Sequence, residues 1–126
     1  MQITREESSN NLIRAVEPGR ILIGEQWLTG NLIVTADTIV SDWRPVDPGR
    51  VTVNDLAPAL ELAPELIIVG ASTDANPPDV DLMAEFAALA VGLECMQTRA
   101  ACRTYNLLVH EGRRVAAALI VGDESI

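Results

Sequence analysis

The chain has 126 residues, of which 48% are hydrophobic and 21% charged; this composition suits one globular domain and argues against disorder. A net charge of −9 and only 3% aromatic residues argue against a nucleic-acid-binding surface, which needs basic groups and aromatic rings. Lysine is absent from the sequence, which excludes lysine Schiff-base chemistry, pyridoxal-phosphate enzymes included, and also a Walker phosphate-binding loop.

The sequence carries no recognisable targeting or membrane-spanning signal. The longest apolar runs, such as LIIV and AALIV, are far too short to cross a bilayer. The first ten residues lack an apolar signal core, and Glu6 and Glu7 argue against a mitochondrial presequence. We therefore expect a cytoplasmic protein in which Cys95 and Cys102 are free thiols rather than a disulfide.

The first third of the chain has the pattern of antiparallel strands. Short runs rich in Ile, Val, Leu and Thr alternate with turn signals at 18–19 and 30–31. We interpret residues 14–43 as a β-meander that the turn VDPGR at 46–50 closes. The helix expected after this turn is short or irregular, because Pro58 limits its first turn.

From residue 65 onward the pattern alternates strands and helices. The run ELIIVG at 65–70 is continuously apolar, as in a strand buried on both faces. Apolar residues from Leu82 to Ala90 fall at helical spacing. Further strands are predicted at 93–97 and 115–122, with a helix between them. Crossover helices of this kind join parallel strands by right-handed connections.

The predicted fold is therefore a single α/β domain spanning residues 1–126, with residues 1–10 as a loose N-terminal tail. It has three layers, built around a central mixed, largely parallel sheet. Its N-terminal half is rich in β-meander. No repeat, linker or low-complexity segment divides the chain.

The helix predicted at 99–110 concentrates unusual residues. Residues 99–114 carry four arginines and one glutamate, net +3, whereas residues 1–98 carry a net charge of −10. On a helical wheel one polar row collects Arg99, Arg103, Asn106 and His110, and the opposite side collects Ala101, Tyr105 and Leu108. Thr98 is expected to be the N-cap, and Gly112 to close the helix in a left-handed conformation.

This polar row is expected to lie beside two neighbouring strand ends. Ligands of parallel α/β units gather where strands end and helices begin. Loop amides, the Thr98 hydroxyl and nearby guanidinium groups could then converge on an anion or an acidic partner segment. The predicted anion or partner site comprises Gly70, Ala71, Ser72, Thr98, Arg99, Arg103, Asn106 and His110. The alternative is a merely solvated face, on which arginine stems cover apolar surface.

No catalytic or metal-binding constellation is predicted. Cys102 and His110 lie eight residues apart on one helix, about 12 Å along its axis, so they cannot pair. Ser72 lacks the G-x-S-x-G turn of a serine hydrolase. One histidine and two dispersed cysteines do not make a zinc site. We accordingly expect no catalytic residue, no cofactor and no metal.

Two motifs in the last third of the chain carry a resemblance to a known family. The first is T-x-x-A-x-x-T-Y-N, formed by Thr98, Ala101, Thr104, Tyr105 and Asn106, and the second is EGRRVAAALI at 111–120. They resemble the α/β domain family of unknown function that includes mitochondrial complex I assembly factor three. That family usually has G-x-G after the strand at 65–70, where this chain has Gly70-Ala71-Ser72.

The resemblance implies a compact three-layer α/β domain with a mixed sheet and with no established catalytic residues. It further implies a bacterial-type, non-enzymatic relative with a protein-interaction or assembly-factor role, for which a respiratory-complex subunit is a candidate partner. The alternative is a small-molecule (anion) binding protein or an enzyme, with a pocket at the strand C-termini. Self-association of the chain stays open.

Overall fold

The structure is a computed structural model that describes residues 10–71 and 80–122. Residues 1–9 of the predicted tail and Ser72 of the predicted site lie outside the described residues. In chain order the elements are β1 (Ile13–Glu17), β2 (Arg20–Ile23), β3 (Gln26–Thr29), β4 (Leu32–Val34), β5 (Ile39–Ser41), α1 (Ala57–Leu60), β6 (Leu66–Ala71), α2 (Val80–Leu89), β7 (Gly92–Gln97), α3 (Thr98–His110) and β8 (Val115–Leu119).

A five-stranded mixed sheet forms the centre of the molecule, with the strand order β5-β4-β8-β6-β7. Strand β6 pairs in parallel with β7 on one side and β8 on the other. Strand β4 runs antiparallel to β8, and β5 antiparallel to β4. This arrangement confirms the predicted α/β fold with a mixed sheet whose β6–β8 part is parallel.

The strands predicted as one meander are shared between two sheets. Strands β1, β2 and β3 form a separate antiparallel sheet, whereas β4 and β5 join the central one. The chain leaves the first sheet at Gly30, whose φ of +91° suits glycine. All three residues of β4 are buried, so β4 needs cover on both faces, which only the central sheet provides.

Two hydrophobic cores lie on opposite faces of the central sheet, and together they define the three layers. One core joins the sheet to β1, β2 and α3. The other joins the sheet to α1, α2 and the buried Trp43. Strand β8 contributes Val115, Ala117 and Leu119 to the first core and Ala116 and Ala118 to the second, which Ile120 joins just beyond the strand. Its run of alanines lets both outer layers approach the sheet closely.

The helices of the described residues are short. The longest, α3, has 13 residues. None of them is long and apolar enough to cross a membrane.

Candidate partner-binding site on helix α3

The carboxyl ends of β6 and β7 lie next to each other at one end of the central sheet. The two strands run in parallel register from Leu66↔Gly92 to Ala71↔Gln97. Helix α3 begins at the next residue, Thr98. The strand ends therefore lie side by side, in the arrangement that the sequence predicts, and Gly70, Ala71 and Thr98 are neighbours.

At Gly70, helix α3 packs tightly against the sheet. A Cβ atom at this position would lie 2.9 Å from Ala101 Cβ, 2.9 Å from Leu119 Cδ2 and 3.1 Å from Thr98 Cα. These distances are too short for a side chain of any kind, so glycine is required for α3 to pack on β6. The glycine faces the protein interior.

Thr98 links the ends of two strands. Its hydroxyl shares its single proton between the carbonyl oxygens of Ile120 at 2.7 Å and Ala71 at 3.1 Å, and the residue is only 2% exposed. The helix N-cap is Gln97, without a side-chain cap bond, so the prediction of Thr98 as N-cap is wrong. The hydroxyl points instead toward these two carbonyl groups, which lie where the strands end and need a hydrogen-bond donor.

Asn106 attaches the three-stranded sheet to α3. Its amide nitrogen donates to the Ile13 carbonyl at 2.7 Å, and its amide oxygen accepts from the Ile13 N–H at 2.9 Å. The side chain thus pairs with the free edge of β1 as a neighbouring strand would. The sequence predicts Asn106 within the polar row, but in the structure its amide is engaged with β1 inside the fold.

Tyr105 supports the same junction from the inner face of α3. Its hydroxyl donates to the carbonyl oxygen of Asn11 at 2.6 Å. Burial raises the pKa of Tyr105, with a further contribution from the charge of Asp37. The Y-N part of the motif is therefore explained by packing of α3 against the N-terminal strands, a contact that the sequence alone did not indicate.

The exposed side of α3 carries what we call the outer row: Arg99, Arg103, Leu107 and His110. Leu107 is 57% exposed. The row extends about 17 Å along the helix axis. Within the described part of the chain, the side chains of Arg99, Arg103 and His110 have neither a hydrogen bond nor an ion pair.

The cysteines lack the properties of nucleophiles. Burial raises the pKa of Cys102 to about 11, and this outweighs the lowering effect of Arg99 and Arg103. Burial and the charge of Glu94 also raise the pKa of Cys95. Both are free thiols, as predicted. Among the residues that the structure describes, no group of three or more His, Cys, Asp or Glu side chains could hold a metal ion.

A groove of about 310 Å³ lies at the other end of α3, beside the starts of β6 and β8. Its lining residues are Asn10, Thr35, Ala36, Asp37, Leu62, Pro64, Val109, Gly112, Arg113, Arg114 and Val115. Gly112 closes α3 with φ +82°, as predicted. The sequence did not indicate this groove, because its walls come from four separate stretches of chain.

The groove's two arginines already have an acidic partner. The Arg113 Nε atom lies 2.8 Å from Glu65 Oε2, and the backbone N–H of Arg114 donates to Glu65 Oε1 at 3.1 Å. The Arg114 N–H and then Arg113 lower the pKa of Glu65. The basic stretch predicted at 99–114 is thus divided: Arg113 and Arg114 pair with Glu65, whereas the outer row does not pair.

Comparisons with known proteins agree with this fold. A family model described as "Protein of unknown function (DUF498/DUF598)" matches residues 13–120. An uncharacterized protein of Rhodobacter capsulatus is 35% identical over 105 residues, covering 82% of this chain and 78% of its own. A crystal structure of a Bordetella parapertussis protein is 32% identical with a TM-score of 0.80, covering 90% and 97% of the two chains. A solution structure from Bordetella pertussis, a Mth938-like domain, is 26% identical with a TM-score of 0.77, covering 92% and 89%.

Proposed function

The chain belongs to the family described as "Protein of unknown function (DUF498/DUF598)", and on the basis of its own geometry we propose that it is a non-enzymatic protein-interaction domain. Its outer row on α3 is the proposed contact surface, and an acidic segment of a partner protein is the proposed ligand. The free guanidinium groups of Arg99 and Arg103 are the observation that carries this proposal.

Free arginines stand out on this chain because carboxylates are abundant. The sequence has 18 acidic residues against 9 basic ones. Arg113, Arg20 and Arg44 each pair with a carboxylate. Arg99 and Arg103 lie one turn apart on the same helix face, where like charges repel slightly. A carboxylate from outside would relieve this repulsion and accept paired N–H bonds from each guanidinium.

The shape of the outer row favours a macromolecular partner. Its side chains project from an exposed helix surface, whereas small ligands are generally enclosed in concave sites. Leu107 supplies an apolar contact within the row, and apolar side chains surrounded by charges are typical of protein interfaces. His110 adds a hydrogen-bonding group at the end of the row.

The remaining residues of the predicted site have a supporting part in this proposal. Gly70, Ala71 and Thr98 seat the start of α3 on the sheet, and Asn106 fixes its middle against β1. They hold the outer row in place without contacting the partner. Ser72 is given no part, because it lies outside the described residues.

The resemblance in residues 98–120 suggests what kind of partner to seek. The pattern resembles a family that includes mitochondrial complex I assembly factor three, so we propose an assembly role in the cytoplasm with a respiratory-complex subunit as the candidate partner. The surface of that subunit should be acidic where it meets the outer row.

Site-specific photo-crosslinking tests the proposal. A benzoylphenylalanine placed at Leu107 in the native host should crosslink to a partner peptide rich in Asp and Glu. Charge reversal by Arg99→Glu with Arg103→Glu should lower the yield of this product by about tenfold or more, because two attractive contacts become repulsive. Mass spectrometry of the product identifies the crosslinked peptide.

The matched control is Arg14→Glu with Arg44→Glu, which makes the same change of four charge units at two exposed arginines outside α3. It should leave the crosslinked product unchanged. A product that persists in the Arg99→Glu/Arg103→Glu protein would contradict the proposal. A small anion that copurifies with the wild-type protein and is lost from this double variant would favour the anion-binding alternative instead.

A further inference from the structure

Strand β7 forms one edge of the central sheet. It pairs with β6, and no other strand of the described residues lies beside it. The Gly92 N–H donates to the Glu65 carbonyl at 2.9 Å, so the backbone groups of Gly92 face β6. Because successive residues of a strand alternate, the N–H and C=O groups of Leu93 and Cys95 and the N–H of Gln97 face outward.

Apart from the charge of Glu94, this edge lacks the features that usually prevent strand pairing. Sheet edges are commonly protected by proline, bulges, very short strands or inward-pointing charges. Strand β7 contains no proline, and its register with β6 is continuous over six residues, about 20 Å. The opposite edge of the sheet, β5, has only three residues. The β7 edge is therefore the one long enough to accept another strand.

The two faces beside this edge differ in chemistry. On the α2 side, Leu93 and Cys95 belong to the hydrophobic core but remain only half-buried. Helix α2 packs against β7 and exposes Val80 and Met83, which are 80% and 56% exposed. On the α3 side, Glu94 is exposed and has no ion-pair partner among the described residues. A strand added here would meet an apolar surface on one face and a carboxylate on the other.

We propose that β7 is an acceptor edge for an extended segment of a partner protein, in which apolar residues facing α2 alternate with basic residues facing α3. Backbone hydrogen bonds to Leu93, Cys95 and Gln97 would provide the affinity, and the alternation would provide the specificity. This surface is separate from the outer row, whose proposed partner is acidic.

Charge favours a basic partner over a second copy of this chain. Pairing of β7 with itself about a twofold axis would bring the two Glu94 side chains to the same sheet face. With a net charge of −9 on each copy, this contact would be repulsive.

A pair of variants at one position tests the proposal with a defined probe. The probe is a fluorescent eight-residue peptide of alternating valine and lysine. Cys95→Pro removes an outward N–H, a change that edge strands tolerate, whereas Cys95→Ala keeps this N–H. We expect the peptide to bind wild type and Cys95→Ala equally, and Cys95→Pro about tenfold or more weakly. Since net charge is the same in all three, non-specific attraction cancels.

Hydrogen exchange gives a second measurement that does not depend on the folding of Cys95→Pro. Adding the peptide to the wild-type protein should slow exchange at the outward amides of Leu93, Cys95 and Gln97. The amides of Glu94 and Met96, which face β6, should change little. A peptide of the same length in which valine alternates with glutamate should not slow exchange at the outward amides.

Three results would overturn the proposal. The first is equal affinity of a folded Cys95→Pro protein and wild type, and the second is an unchanged exchange rate at the outward amides. The third is a dimer, detected by light scattering, in which these amides are protected without peptide, since a second copy would then occupy the edge. Crosslinking from Leu107 should survive Cys95→Pro, so failure here is distinguishable from failure at the outer row.

Discussion

Helix α3 presents an inner face to the central sheet and an outer face to solvent, and the two faces use polar groups in opposite ways. On the inner side, Thr98 and Asn106 each form two hydrogen bonds with backbone groups of other elements. On the outer side, Arg99, Arg103 and His110 form none with the described residues. Polar residues of one helix thus divide into those that hold the fold together and those available to a partner.

The residues that make the motif recognisable are not the residues that are available to a partner. The most distinctive letters of the motif, Tyr105 and Asn106, are engaged with Asn11 and Ile13. Buried or half-buried groups must have partners, because an unsatisfied one costs about 1–3 kcal/mol. Their identity is therefore constrained by the fold. The outer row is not constrained in this way, so its composition is better evidence for an external contact.

The largest effect is expected from a substitution that disrupts the packing of the inner face of α3 against Gly70 of β6. Gly70→Val should lower the free energy of unfolding by about 3 kcal/mol, because its side chain would collide with Ala101 and Leu119. Urea unfolding followed by circular dichroism measures the change. Gly122→Val is the matched control, since a Cβ there meets nothing within 4 Å and should leave stability nearly unaltered. Equal unfolding midpoints for the two variants would mean that α3 does not pack on β6 as described.

A smaller effect is expected where α3 meets β1. Asn106→Ala should lower the free energy of unfolding by about 2 kcal/mol, because both backbone groups of Ile13 lose their partner. Exchange at the Ile13 amide should accelerate at the same time. Arg103→Ala, three residues earlier on the outer row, should change stability by no more than about 0.5 kcal/mol. Comparable losses for the two variants would remove the distinction between the faces.

The central features of the fold could be predicted because local patterns encode them. The continuous apolar run before Gly70 marks a strand buried on both faces, and Gly112 marks the end of α3. Helix α3 itself was predicted to within one residue. These features depend on neighbours in the chain, which a single sequence displays.

The distant contacts could not be predicted in this way. The Asn106–Ile13 bonds join residues 93 positions apart, and the Arg113–Glu65 bond joins residues 48 apart. A helical wheel places Asn106 on the polar side, but it cannot tell that β1 covers that position. The division of strands β1 to β5 between two sheets likewise depends on distant contacts. The fully apolar β4 was nevertheless a signal for burial on both faces.

The smallest expected effect tests whether burial or the neighbouring arginine charges have the larger influence on the pKa of Cys102, beside the outer row. Cys102 lies next to Arg99 and Arg103 in the helix, and their charges favour the thiolate, yet burial raises its pKa from 9.0 to about 11. A raised pKa in the folded state contributes stability that is complete below pH 9 and is lost as the pH rises toward 11. By pH 10 the loss should be about 1 kcal/mol relative to Cys102→Ala. In a Cys95→Ser background, the folded protein should react with a thiol reagent at pH 8 far more slowly than the urea-unfolded chain. A fast reaction would show that the guanidinium groups affect the pKa of Cys102 more than burial does. Cys102 would then belong to the outer face of α3.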